Sequence, residues 1–148
     1  MPKVLVVDDH HLIRSGTINM LQRQYSDLEI YTATTAEEAV YEIEKIEPEN
    51  SVLDLIILDI GIPEKTEMLA DIDTGIQLLK NLLNKYPTQN IMVHSIHVKP
   101  LVKIRSETDE HQGGFVIADI RLSEQEILNR VELAIQGKNY AKDIRTEI

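Results

Sequence analysis

Apolar residues follow two different periods along this chain, and the two periods take turns. Short runs with little polar interruption occur at Val4–Val7, Leu53–Leu58, Asn90–Ser95 and Gly114–Ala118. Runs of this kind suit β-strands covered on both faces, as in a parallel sheet. Leu28–Thr32 makes a fifth strand, more polar than the others and so expected nearer an edge. Between the runs, apolar residues recur at helical spacing. Leu12, Ile13, Ile18, Met20 and Leu21 mark one helix, Ala39, Val40, Ile43 and Ile46 a second, and Ile76, Leu78, Leu79, Leu82 and Leu83 a third. Boundary signals agree with this spacing. Thr34 and Thr35 followed by Glu37 and Glu38 are overlapping capping boxes for the second helix, and Pro48 and Asn50 end it. The third helix stops before Pro87, and Ser123-Glu124-Gln125-Glu126 opens a last helix that Gly137 closes. Gly61 to Asp73 is polar without a clear period, and Lys99 to Gln112 reads as a short or poorly formed helix.

Alternating strands and helices of these lengths predict an α/β three-layer sandwich around a doubly wound parallel sheet, a flavodoxin-like (βα)5 fold with strand order 2-1-3-4-5. At 148 residues the chain is expected to be one domain spanning 1–140, with 141–148 as a tail or the start of a linker. The composition is that of a globular protein, 43% hydrophobic and 27% charged. A formal net charge of -10 argues against direct binding of nucleic acid, which needs clustered Lys and Arg on phosphates. The absence of cysteine excludes disulfides and thiolate chemistry. No signal-peptide pattern and no membrane-length apolar run is present, so a cytoplasmic location is expected.

The chemistry collects where strands end. Asp8 and Asp9 close the first run and Asp59 closes the third. In the expected strand order these two strands are neighbours, and ligands bind beyond the carboxyl ends of such strands. A single aspartate after a strand is most often a helix cap or a turn former; three that converge form a costly like-charge cluster unless a cation offsets it. Mg²⁺ fits, being a hard cation held by carboxylates, carbonyls and water. A carboxylate beside it has the makings of a nucleophile toward a phosphoryl group.

These residues carry a resemblance. Val6-Val7-Asp8-Asp9-His10-His11-Leu12-Ile13-Arg14-Ser15-Gly16 resembles the opening of response regulator receiver domains of two-component systems, especially the subgroup with a LuxR-type helix-turn-helix. Asp59-Ile60-Gly61-Ile62-Pro63 is similar to that family's phosphoacceptor segment, Ser95 stands at its switch serine or threonine, and Gly114-Phe115 at its glycine-aromatic pair. The resemblance implies that Asp59 is the phosphoacceptor, with Asp8, Asp9, Asp59 and the Gly61 carbonyl around Mg²⁺. It also implies that Ser95 donates its hydroxyl to the phosphoryl oxygens and that Phe115 is the switch aromatic. Partners would be a sensor histidine kinase or phosphotransfer protein, with a homodimer compatible and DNA reached only through a further C-terminal domain. The chain would be no conventional enzyme, though it would take part in its own phosphotransfer and dephosphorylation.

Two departures stand out. The family's strand-five lysine is replaced by Ala118, which removes a charge-assisted contact. This favours either a weakly switching receiver or a phosphorylation-independent pseudo-receiver acting as an interaction module. A metal-dependent phosphohydrolase of similar topology is weaker, because Gly61 stands where a second acid–base aspartate would be needed. The second departure is an acidic insertion: Gly75 lies sixteen positions after Asp59, with Glu64, Glu67, Asp71 and Asp73 between, which reads as a tolerated surface insertion or an acidic flap over the site. Lys99 reads as a loop lysine. The histidines lack zinc-type spacing and read as non-ligands, but His94 takes a strand position where an apolar residue is expected.

Overall fold

The computed structural model describes residues 2–46 and 53–140. Strands β1 (Lys3–Val7), β2 (Glu29–Ala33), β3 (Leu55–Leu58), β4 (Ile91–Ser95) and β5 (Phe115–Asp119) pair in parallel in the order β2-β1-β3-β4-β5. Helices α1 (His11–Gln24), α2 (Ala36–Ile46), α3 (Ile72–Lys85), α4 (Arg105–Glu110) and α5 (Glu124–Ile135) connect them, with a 3₁₀ turn at Lys99–Ile104 running straight into α4. This is the flavodoxin-like three-layer sandwich.

Side-chain alternation along the strands explains the two cores. Leu5, Val7, Ile56, Leu58, Ile91 and Val93 point to one face, where Ala39, Ile43, Leu79 and Leu82 cover them. Val4, Val6, Leu55, Ile57, Met92 and Val116 point to the other, beneath Met20, Leu21, Ile127 and Val131. Removing each Val, Leu, Ile or Met side chain from water contributes about 1.5–3 kcal/mol, which is why the strands read as continuous apolar runs. The polar β2 is an edge strand, as its composition predicts. At the opposite edge the chain beyond α5 comes back to β5: Phe115 N–H donates to Lys138 O at 2.9 Å and Tyr140 N–H to Phe115 O at 2.8 Å.

Element boundaries need several adjustments. Asp54 is not part of β3; its Oδ2 accepts from the Lys3 amide at 2.7 Å and braces the start of the sheet. Leu12, read as part of the buried face of α1, is 83% exposed, and Thr17, Met20 and Leu21 are the residues that α1 buries. The proposed stop of α2 at Pro48 and Asn50 lies outside the described residues. The third helix starts earlier than the apolar spacing predicts, at Ile72, because Asp71 caps it by accepting from the Asp73 amide at 2.9 Å. Gly75 therefore lies inside its first turn, where the helix comes so near β3's exit that a Cβ would stand 1.8 Å from Ile60 O. Only glycine permits that approach. The capping boxes behave as read: Thr35 Oγ1 accepts from Glu38 N–H at 3.0 Å, Ser123 Oγ from Glu126 N–H at 3.2 Å, and Gly137 takes a positive φ of 80°.

The acidic insertion is tied down at both ends. Ile62 and Asp71 form an antiparallel bridge. Pro63 O and Glu64 O accept from the Ala36 and Glu37 amides at 2.9 and 3.0 Å, occupying donors that the first turn of α2 leaves without a helical partner. Its tip leaves Met68 and Leu69 exposed.

Candidate functional site

The carboxyl ends of β1 and β3 lie side by side, with Val7 paired to Leu58, so the next residues of both strands leave the sheet together. Asp8 and Asp59 are buried and Asp9 is partly exposed. One ligand atom each from Asp8, Asp9, His10 and Asp59 fits within a 4.8 Å span. The Asp8 backbone is fixed by Arg14, whose Nη1 donates to Asp8 O at 2.9 Å, and its Oδ1 accepts from the His10 amide at 2.8 Å.

Asp59 is asymmetrically held. Oδ1 accepts from Ser95 Oγ–H at 2.7 Å and from the Gly61 amide at 3.3 Å, whereas Oδ2 faces His10 Nδ1 at 3.9 Å. Ser95 is itself oriented, because its Oγ accepts from the His97 amide at 3.0 Å. One carboxylate oxygen is thus pinned by two donors and the other is turned toward the acidic cluster.

Burial pushes the Asp8 carboxyl up to about 6 from its ordinary 3.8, with Asp59 and Asp9 adding to the rise and the His10 amide opposing it. Asp9 Oδ1 is buried without a hydrogen-bond partner, though His10 Nδ1 stands 3.3 Å away. Crowded oxygen donors of this type, one of them short of a partner, match the donor set of a hard divalent cation. Asp8, Asp9 and Asp59 therefore fit the Mg²⁺ site expected from the sequence. His10, which lacked zinc-type spacing to any other histidine, is drawn into the cluster by direct succession to Asp9, the one signal that would have flagged it.

The other expected residues fall in different places. Gly61 adjoins Asp59 and lines a cleft of about 580 Å³ with His10, Ala70, Asp71, Asp73, His97 and Lys103. The insertion thus builds one wall of the mouth. Lys103, 3.8 Å from Asp73, stands at that mouth, and Lys99, the lysine singled out in the sequence, does not line it. Phe115 is not brought to Asp59. It sits opposite Ile91 at the start of β5, four residues before the rung that pairs Ser95 with Asp119, and is fully buried. At about 3.3 Å per residue that is roughly 13 Å along the strand, and a ring enclosed on all sides turns only if the core repacks. Ala118 is also fully buried, in the apolar layer with Val116, Val131 and Ala134.

Comparison with known proteins agrees with this geometry. The chain is 33% identical over 92 residues to the transcriptional regulatory protein YhcZ of Bacillus subtilis, a match covering 62% of this chain and 36% of that protein. The chain therefore spans about a third of that relative's length, and a similar share (35%) of the transcriptional regulatory protein DegU of Brevibacillus brevis. Among solved structures, a LuxR family DNA-binding response regulator from Silicibacter pomeroyi matches with a TM-score of 0.67 at 26% identity, over 93% of this chain and 94% of that one. A two-component response regulator of the LuxR family from Aurantimonas sp. SI85-9A1 shares the fold with a TM-score of 0.73 at 18% identity, over 99% and 94% of the two chains. No described helix is long and apolar enough to cross a membrane. Residues 4–116 match the response regulator receiver domain, and with the acidic pocket at the ends of β1 and β3 the chain belongs to that family.

Proposed function

We propose that this receiver is a phosphoacceptor and that Asp59 Oδ2 is its nucleophile. The observation that carries this is the division of labour on Asp59: Ser95 and Gly61 occupy Oδ1 and leave Oδ2 beside the acidic cluster. In the reaction Oδ2 forms a bond to phosphorus as the bond from phosphorus to a donor imidazole nitrogen breaks, and the imidazole leaves carrying a proton. The donor is a phosphohistidine of a sensor kinase or phosphotransfer protein. Asp8, Asp9, Asp59 and the Gly61 carbonyl would hold Mg²⁺, which supplies charge neutralisation for the transferred group. Ser95 then exchanges its bond with Asp59 Oδ1 for one to a phosphoryl oxygen, releasing the loop that its Oγ now anchors through the His97 amide. Output through DNA would require a further domain, of the kind named for the relatives.

Mg²⁺ with acetyl phosphate or beryllofluoride is expected to shift the NMR signals of Asp59, Ser95 and His97, and Asp59→Ala is expected to be silent. An unresponsive wild type, or an Asp59→Ala variant that responds equally, ends the phosphoacceptor reading. A second reading, a pseudo-receiver that binds partners regardless of phosphorylation, draws on one observation, the burial of Ala118 where a cation would face Asp59. Partner affinity that ignores both acetyl phosphate and Asp59→Ala would favour it.

A further inference from the structure

His94 is only 5% exposed, yet its Nε2 has no hydrogen-bond partner among the described residues. Leaving a buried polar atom unmatched is destabilising, and the strand gives no structural reason for it, since Met92 and Val116 on the same face are apolar. The registers explain what His94 stands beside. β4 pairs His94 with Ala118 of β5. β3 pairs Leu58 with Val93, so the next rung places Asp59 beside His94. The imidazole thus lies on one face of the sheet between the acceptor strand and a position whose side chain is a single methyl. Burial holds the His94 imidazole below its ordinary range, with Asp59 and Asp119 acting in the opposite sense. Asp119 is already held by Arg121, through Nε at 2.9 Å and Nη2 at 2.5 Å. Asp59 has only neutral donors on Oδ1. On its outer side His94 lines a cavity of about 270 Å³ with Thr17, Met20 and Glu124, which gives the ring room to turn.

We propose that His94 is a phosphoryl-binding residue: its Nε2–H donates to a phosphoryl oxygen on Asp59, on the face of the sheet where its β5 neighbour Ala118 carries only a methyl. Ser95 and His94, successive residues of β4, then engage the group from the two faces of the strand. The inference rests on Asp59 being the phosphoacceptor and adds a neutral N–H donor to the phosphoryl group, where Ala118 offers none. It also explains a polar atom left unmatched in the resting state, because the partner arrives with the phosphoryl group.

The test uses the whole chain with beryllofluoride and Mg²⁺ as the probe. Long-range ¹H–¹⁵N spectra should show the His94 Nε2 resonance moving together with the backbone signals of Asp59 and Ser95. His94→Leu should weaken beryllofluoride binding by about tenfold, the worth of one hydrogen bond, and its thermal midpoint without the probe should rise. His94→Gln, whose amide nitrogen takes the position of Nε2, should stay within about threefold of wild type, since it keeps a donor there. A merely structural histidine would not give this order of variants. If Asp59 and Ser95 respond but the His94 ring does not, or if Leu and Gln weaken binding equally, the His94 proposal falls and the phosphoacceptor stands. If Asp59 and Ser95 themselves stay silent in wild type, both fall.

Discussion

Asp8→Asn should make the metal-free protein more stable at neutral pH, although it removes a central residue of the site. Asp8 is buried beside two other carboxylates, and its carboxyl titrates at about 6 instead of 3.8. Between those two values the folded state binds more protons than the unfolded chain, so stability falls as pH rises through the window and is lowest above about 6. A rise of about two pH units at about 1.4 kcal/mol each amounts to roughly 3 kcal/mol at neutral pH. About 1.3 kcal/mol of that is recovered on going from about pH 7 to about pH 5. Asparagine preserves the shape and the acceptor for the His10 amide, now 2.8 Å from Asp8 Oδ1, while removing the charge. Urea unfolding in EDTA should therefore show the variant ahead of wild type by up to about 3 kcal/mol at pH 7, with the gap narrowing by about 1.3 kcal/mol at pH 5. Adding Mg²⁺ should reverse the order, since a cation that binds only the folded wild type stabilises it by about 4.1 kcal/mol at a thousandfold excess over its dissociation constant. A variant less stable than wild type at pH 7 in EDTA, or a gap that does not depend on pH, would refute the reasoning that the cluster is held at an electrostatic cost.

Gly75→Ala should destabilise the fold by about 2–3 kcal/mol, because its Cβ meets the Ile60 carbonyl, which is backbone and cannot swing aside. Thermal unfolding would measure this, and the same change should weaken beryllofluoride binding, since Ile60 follows Asp59 directly. Ser123→Ala removes the N-cap bond to the Glu126 amide and should cost about 1 kcal/mol in urea unfolding.

Part of the site was legible before any coordinates, and the reason is local. Asp8 and Asp59 each follow directly on an apolar strand, with Asp9 next to Asp8, and a strand that ends at its last apolar residue fixes where the next carboxylate emerges. Phe115, by contrast, comes from the family resemblance alone, and its place opposite Ile91, about four residues from the Ser95 rung, is set by strand register, on which a motif is silent. The insertion reads as a tolerated surface insertion or an acidic flap. Its acidic side chains proved less informative than its backbone, which bridges Ile62 to Asp71 and caps α2. Backbone carbonyls have no signature in the sequence, so that role could not be read there.

The sequence by itself determined the alternation of strands and helices, the edge position of β2, the caps at Thr35 and Ser123 and the identity of the acidic cluster. These all follow from periods and neighbours within a few residues. Only the tertiary structure decided which oxygen of Asp59 is free, why Gly75 must be glycine, and what stands beside His94. Each of those depends on residues remote in sequence: Ser95 reaching Asp59, α3 meeting Ile60, and the rungs that set Asp59, His94 and Ala118 side by side. The physical reason is that strand register and helix docking are settled by the packing of the whole core, and local periodicity carries no record of them.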